Sequence, residues 1–591
     1  ADYYTDSRLE GLPLGNSTTP VGQVIRADFN NYIRDHNLTA IASHTFTPWF
    51  QGTFTLGQNL NSTDFHQIYD LGNTLIAPQP FVITNTVQVD ANDMETLVHR
   101  ESYFGQATAD LWDQLFLTAA LRNDGFSTFG NNNRRHWFPK ASAAWTFTKA
   151  IAGLSDKIDY AKVRAAYGET GREPNVYSTL NSFSVGRFGE YGGDASGVLR
   201  TIYMGQAGLI GPDSVGSDSL RPERTREYEG GLDFGLFKGW MDMGISYYNS
   251  KTSDVIFEAP TPPSSGSLAI VKNAATITNK GWEITSTLHP IRSNDLSWNV
   301  GLQWGRNRNL VTDLNGSSDI LVGSQFILTT VARKGFPVGS FAGFDFVRCG
   351  RGLTVNGVDI DNADVSEGGC MSDGKAPAKG ALFIADGGFP VLDQDNLRVL
   401  GTSQPDWTGS VHTDVTFMKR WNVSALLDIR HGGQAYNGTR GALYVYGTHK
   451  DTDIRNQTFV FGPSTNGVQG FHGDPAVAGP GAGTPVIIDQ NWFENDGGAF
   501  GGNIVDFLED AGFTKLREVS IGYHMDQPFV SHTFGLSSID LRLAGRNLVT
   551  WTHYTGLDPE TQLGGATLVG GFDWFNNPQT RSFVVTVGLN R

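Results

Sequence analysis

Residues 407–431 read WTGSVHTDVTFMKRWNVSALLDIRH, and their alternation decides the fold class. Val411, Thr413, Val415 and Phe417 fall on one face of an extended chain, against His412, Asp414 and Thr416 on the other. After a tight turn at Lys419-Arg420, Trp421, Val423, Ala425, Leu427 and Ile429 oppose Asn422, Ser424, Asp428 and Arg430. A period of two over about ten residues on each side of a short turn is a β-hairpin with one apolar and one polar face. The aromatic residues at its ends, Trp407, Phe417 and Trp421, mark where such a hairpin would cross from an apolar layer into water.

The same pattern recurs outward along the chain. Leu115, Leu117, Ala119 and Leu121 oppose Thr118, Arg122 and Asp124; Met241, Met243, Ile245 and Tyr247 oppose Asp242, Gly244 and Ser246. Trp298, Val300, Leu302 and Trp304 oppose Asn299, Gly301 and Gln303, and Ile539, Leu541 and Leu543 oppose Asp540 and Arg542. About sixteen such strands are expected in an all-β antiparallel transmembrane barrel, near 38–46, 48–57, 97–109, 112–124, 136–148, 159–169, 224–237, 239–251, 277–289, 295–308, 340–348, 406–418, 420–431, 513–526, 536–549 and 580–590. Long loops are expected at about 59–95, 170–223, 252–275, 349–404 and 432–510. The soluble alternative is a series of β-sandwiches, whose strands are shorter and whose loops are less lopsided in length.

Composition agrees with a long all-β chain. Of 591 residues 72 are glycine, charged residues make up 18% and aromatics 12%, which is too aromatic for disorder. No apolar run approaches the ~20 residues of a spanning helix. The net charge is -16 without a basic stripe, which argues against nucleic acid as a partner. The first residues, ADYYTDSRLEG, are neither an initiator Met nor the apolar core of a signal peptide.

Several strings in order resemble the TonB-dependent outer-membrane transporters of the SusC/RagA type. They are QLFLTAALRNDGFSTFGNNNRRHWFPKASAAWTFTK (114–149), KVRAAYGETGREPN (162–175), SLRPERTREYEGGLDFGLFKGWMDMGISYYNSKTSDVI (219–256) and VKNAATITNKGWEITSTLHPI (271–291). The close of the chain adds AGFTKLREVSIGYHM (511–525), LRLAGRNLVTWTHYTGLDPET (541–561) and NPQTRSFVVTVGL (577–589). The resemblance implies a barrel of roughly 22 strands around a plug. Residues 1–591 are expected to be the C-terminal part of that barrel, with the plug and the segment that contacts TonB outside this sequence. It further implies an importer of glycans, glycan fragments or peptides in the outer membrane of a Gram-negative bacterium. Implied partners are a SusD-like surface lipoprotein, the TonB complex reached through the N-terminal part, outer-membrane lipid, and a second transporter unit in a dimer. A passive porin or an adhesive barrel is the alternative.

No catalytic constellation is visible: HExxH, a phosphate loop, GxSxG and CxxC are all missing from the sequence. His431-Gly432-Gly433 has the look of an oxyanion-hole motif but reads as the start of a loop. Asp359, Asp361, Asp364 and Glu367 are candidates for a structural Ca2+, against a solvated acidic loop, and Asp386, Asp393 and Asp395 form a thinner acidic set. Glu223, Glu227 and Glu229 read as luminal charges paired with a plug or a neighbouring strand. Cys349 and Cys370 share one Gly- and Asp-rich loop and are expected to form a disulfide worth about 3 kcal/mol in an oxidising compartment. The candidate ligand contacts are loop aromatics, Tyr444, Tyr446, Trp492, Phe493, Trp574 and Phe575. Their flat rings could stack on sugars or hold apolar peptide side chains, or serve as an interfacial girdle instead.

Overall fold

In a computed structural model, the described residues are 2–15, 19–150, 158–183, 211–325, 328–348, 381–394, 397–461, 477–560 and 570–591, with short pieces between them. Sixteen long strands run up and down in chain order: β1 (Asp2–Leu12), β2 (Gln23–Thr47), β3 (Phe50–Leu75), β4 (Thr86–Leu111), β5 (Leu115–Phe126), β6 (Arg135–Trp145), β7 (Ile158–Arg172) and β8 (Glu223–Leu236). They continue as β9 (Met241–Pro260), β10 (Ala269–Arg292), β11 (Leu296–Asp313), β12 (Trp407–Phe417), β13 (Trp421–His431), β14 (Phe513–Met525), β15 (Ser538–Thr552) and β16 (Ser582–Asn590). Each pairs antiparallel with the next. A two-residue strand, Ser214–Val215, adds a parallel rung to β10 and completes a seventeen-stranded sheet.

Short connections close one rim. Three of them, residues 112–114, 237–240 and 418–420, open on two successive residues with positive φ, Trp112-Asp113, Phe237-Lys238 and Met418-Lys419. That geometry matches the right-handed twist of paired strands, and it places the last of these turns one residue before the position expected from sequence. The rim carries aromatic pairs: Trp49 stacks on Trp112 at 5.3 Å, Phe417 on Trp421 at 6.1 Å, and Trp421 lies 4.5 Å from Tyr523. Ten residues up the hairpin Trp407 stacks on His431 at 5.2 Å. Ten residues at ~3.3 Å each and ~40° tilt span ~25 Å, the height of an apolar band in a bilayer.

The alternation assigns the faces. Leu117 and Leu121 point outward and are 40% and 46% exposed, whereas Thr118 turns inward and its hydroxyl meets that of Thr108 at 3.1 Å. Arginine at Leu117 is therefore expected to cost about 2–4 kcal/mol near the band centre, and arginine at Thr118 little. Folding titrations into lipid vesicles check this, and equal tolerance at the two sites would refute the face assignment.

Several expectations are corrected. The stretch 59–95 is not a loop: β3 and β4 pair in register from Phe50↔Leu111 up to Leu75↔Thr86. These strands are 26 residues long, and at ~3.3 Å per residue and ~40° tilt they rise well above the ~25 Å band. There both faces meet water, and the apolar alternation that marks a strand disappears. For the same reason β9 and β10 run through most of 252–275, and β1, DYYTDSRLEGL, was not among the expected strands. The expected barrel strand 340–348 instead starts with Ser340–Gly343 in a separate four-stranded sheet with Ile320–Gln325, Leu328–Ala332 and Arg398–Gly401. The expected first strand, 38–46, is the lower half of β2. β1 pairs with Gln23–Ile33 of β2, so among the described residues Arg34–Thr47 has a partner only on the β3 side. Among the described residues no pairing joins β1 or β2 to β16, and the sheet is open.

Above the other rim the connections 314–406, 432–512 and 553–581 share one apolar core. It contains Leu328, Phe341, Phe346, Leu382, Tyr436, Phe507 and Phe572. A three-stranded sheet of Leu508–Asp510, Gln434–Asn437 and Phe572–Asp573 ties the second and third connections together.

Candidate ligand-binding surface

The inward face of the sheet carries a ladder of ion pairs: Arg122–Asp124 at 2.5 Å, Lys162–Asp233 at 2.9 Å, Arg164 with Glu229, Arg517–Asp428 at 2.7 Å, and Arg546–Glu518 at 2.9 Å. Glu229 thus meets a neighbouring strand. Glu223, at the loop end of β8, accepts the Ile256 N–H at 3.0 Å. Where the last loop leaves the wall, Lys515 is 3% exposed; its ammonium donates to Asp558 at 2.7 Å and to Glu560, while Arg517 joins Glu560 to Asp428. Burial alone would push the Glu560 carboxyl up, but hydrogen bonds from Arg517 and Lys515 outweigh it and hold it below its ordinary range. These contacts anchor the 553–581 connection to β13 and β14.

On the loop body, helix α1 (Gly438–Val445) is capped by Asn437, whose side-chain oxygen accepts the Arg440 N–H at 2.9 Å. Position 438 is glycine because a Cβ there would stand 2.5 Å from the Trp574 ring. Arg440 donates to Glu509 at 3.0 Å and to the Tyr444 hydroxyl at 3.0 Å, and that hydroxyl donates to Asp451. Burial pushes the hydroxyls of Tyr436 and Tyr444 far above the ordinary tyrosine range, so both stay protonated.

This scaffold sorts the aromatic candidates. Tyr444, Trp492 and Phe493 are 4%, 5% and 2% exposed, so they are core residues and present no ring face at the surface. Trp492, on the short helix α2 (Gln490–Glu494), stacks on Phe389 at 5.3 Å and packs on Phe461 at 5.2 Å. Tyr446 and Phe575, by contrast, are 65% and 53% exposed, and Trp574 is half-buried. They are joined by a residue absent from the sequence-based candidates, Phe500, which lies 6.3 Å from Tyr446 and 5.9 Å from Trp574. Trp574 meets Phe575 edge-on at 5.8 Å and stacks on Phe572, which stacks on Tyr436. The result is an aromatic ridge, wet at Tyr446, Phe500 and Phe575 and rooted in the core through Phe572. Phe500 had a signal, being a lone ring inside GGAFGG (497–502), where no neighbouring apolar residue offers it a core.

Other candidates fall elsewhere. Cys349, Cys370, Asp361, Asp364, Glu367 and Asp395 lie outside the described residues, as does the side chain of Asp359. Asp386 is exposed, and Asp393 pairs with Arg398 at 2.9 Å. Gly432 and Gly433 take φ of 71° and 79° and open the loop after β13, while His431 is held flat against Trp407.

A model of the family described as TonB dependent receptor-like, beta-barrel matches residues 1–448. The TonB-dependent receptor P3 of Formosa agariphila is 26% identical over 504 residues, covering 83% of this chain and 45% of its own length. SusC of Bacteroides thetaiotaomicron is 27% identical over 232 residues, 37% of this chain and 21% of its own. The chain spans about half the length of the curated relatives that it matches over most of its own length. Among solved structures the RagAB peptide transporter superposes with a TM-score of 0.70 at 16% identity, over 99% of this chain and 59% of that one. The antiparallel meander, its aromatic belts and the match over residues 1–448 agree: the chain belongs to the TonB-dependent receptor-like β-barrel family, whose members lie in the outer membrane of Gram-negative bacteria.

Proposed function

We propose that this chain forms most of the wall and the outer mouth of an energised importer, which takes glycans, glycan fragments or peptides into the periplasm. A SusD-like lipoprotein covers the loops, and a TonB-driven plug gates the lumen. The observation that carries the reading is the aromatic ridge. Tyr446, Phe500, Trp574 and Phe575 stand together on a loop body with its own core, offering ring faces suited to sugar rings or apolar peptide side chains. The names of the relatives agree, since RagAB is described as a peptide transporter and several receptors of known sequence are named TonB-dependent.

The test uses whole cells that carry the full-length transporter, with labelled oligosaccharide and peptide pools. A protonophore is expected to abolish uptake while leaving surface binding intact; uptake that survives it makes the protein a passive porin. At roughly 1 kcal/mol per ring, Tyr446→Ala with Phe500→Ala is expected to weaken surface binding about thirtyfold. Unchanged binding would remove the ridge from the site.

A further inference from the structure

The outward face of β9, β10 and β11 carries cations at one height. Tyr247 and Trp282, whose rings lie 4.8 Å apart, mark the upper aromatic belt. On the same outward face are Lys251, Lys280, Arg306 and Arg308, all exposed. Their face follows from register. Lys280 is opposite Arg308, Arg306 is opposite Trp282, and Lys251 is opposite Thr278, two positions along from Lys280. Each stands about ten residues above the short-turn rim, ~25 Å up a tilted strand, where the apolar band ends and lipid headgroups begin.

This arrangement is unfavourable on its own. Lys280 and Arg308 are directly opposed, with Cβ atoms ~5 Å apart, and Arg306 and Lys251 sit on diagonals at ~7 Å. Like charges so placed repel. Yet the chain as a whole is acidic, at -16, and carboxylates are used to neutralise the neighbouring cations on the same face. Glu169 accepts from Arg226 at 3.1 Å and forms an ion pair with Arg224 at 3.0 Å. Here Asp406 meets Arg308 at 3.1 Å, and among the described residues Lys251, Lys280 and Arg306 have no ion-pair partner. Their position faces neither the lumen nor the loop body, so a soluble nutrient on its way inward does not pass them. The anion that does sit at that height beside a barrel wall is a headgroup phosphate.

We propose that Lys251, Lys280, Arg306 and Arg308 bind the phosphate groups of an anionic lipid of the outer leaflet, whose acyl chains lie along the apolar face below Tyr247 and Trp282. The site is independent of the transported nutrient. The experiment is native mass spectrometry of the detergent-purified full-length protein with lipid A, with phosphatase-treated lipid A and with inorganic phosphate. The protein is expected to retain lipid A, to lose most of it after phosphatase treatment, and to bind inorganic phosphate far more weakly. Lys251→Gln, Lys280→Gln and Arg306→Gln together are expected to weaken retention about a hundredfold, at roughly fivefold per cation, while the loop variant Lys334→Gln behaves as the parent. Equal retention of the phosphatase-treated lipid by the parent protein overturns the proposal, whether or not the triple variant folds. Inorganic phosphate that binds as tightly as lipid A overturns it too, making this a free-anion site.

Discussion

Lys515→Met is expected to cost about 3–5 kcal/mol, because it removes the cation from a buried cluster and leaves Asp558 and Glu560 uncompensated. Lys515 is the innermost member of that cluster, and Asp558 is itself only 6% exposed. Asp558 also accepts the N–H groups of Glu560 and Gln579 at 3.0 and 3.3 Å, so the change releases the 553–581 connection from the wall. The expected readout is new protease cleavage between 553 and 581 in intact membranes. The triple variant Lys515→Met, Asp558→Asn and Glu560→Gln, which also removes the stranded charges, should recover much of the loss. If Lys515→Met alone leaves the loop protected, the cluster is not its anchor. Acid should loosen the same anchor. The Glu560 pKa is lowered in the folded state, so its contribution is present above the ordinary carboxylate pKa of about 4.3 and is lost as pH falls through the lowered value.

Trp492→Ala is expected to cost about 3–5 kcal/mol of loop-body stability, by loss of buried ring surface and the cavity left behind. Its neighbours Phe389 and Phe461 come from different connections and also touch each other at 5.9 Å, so the cavity loosens the join between those connections. The barrel wall shares none of this core. The heat-modifiable band of the folded barrel should therefore persist on gels while the 432–512 connection becomes protease-sensitive. Joint loss of both would mean that loops and wall fold as one cooperative unit. Tyr446→Ala, on an exposed ring of the ridge, should leave both intact.

The membrane-embedded part of the fold was legible because a bilayer forces the sequence to alternate: Leu117 against Thr118 and Val423 against Ser424 can be read without a structure. Legibility stopped where that constraint stopped. The upper halves of β3 and β4 are wet on both faces, and Asn61, Thr63 and Gln67 give no period. FAGFDFV at 341–347 does alternate, but Phe341, Phe346 and Val347 are buried in the loop body, where burial on both faces imitates a spanning strand. The ridge was half legible. Tyr446, Trp574 and Phe575 could be named as loop aromatics, yet nothing local separates them from Tyr444, Trp492 and Phe493, whose burial depends on partners more than a hundred residues away in some cases, such as Phe389 against Trp492. The cations above the upper belt follow the parity of Met243, Ile245 and Tyr247 on to Lys251. Their meeting with Lys280, Arg306 and Arg308 needed the register.

A sheet with lipid on one face and a polar lumen on the other underlies every reading of this chain. Nitroxide labels placed one at a time from Val423 to Ile429 in β13, in the full-length protein reconstituted into vesicles, test this most directly through their collisions with oxygen and with a water-soluble nickel chelate. Labels at 423, 425, 427 and 429 should collide mostly with oxygen from the bilayer, and those at 424, 426 and 428 mostly with nickel, giving two curves of period two in opposite phase. Curves in phase, or without a period, would contradict a membrane-spanning wall.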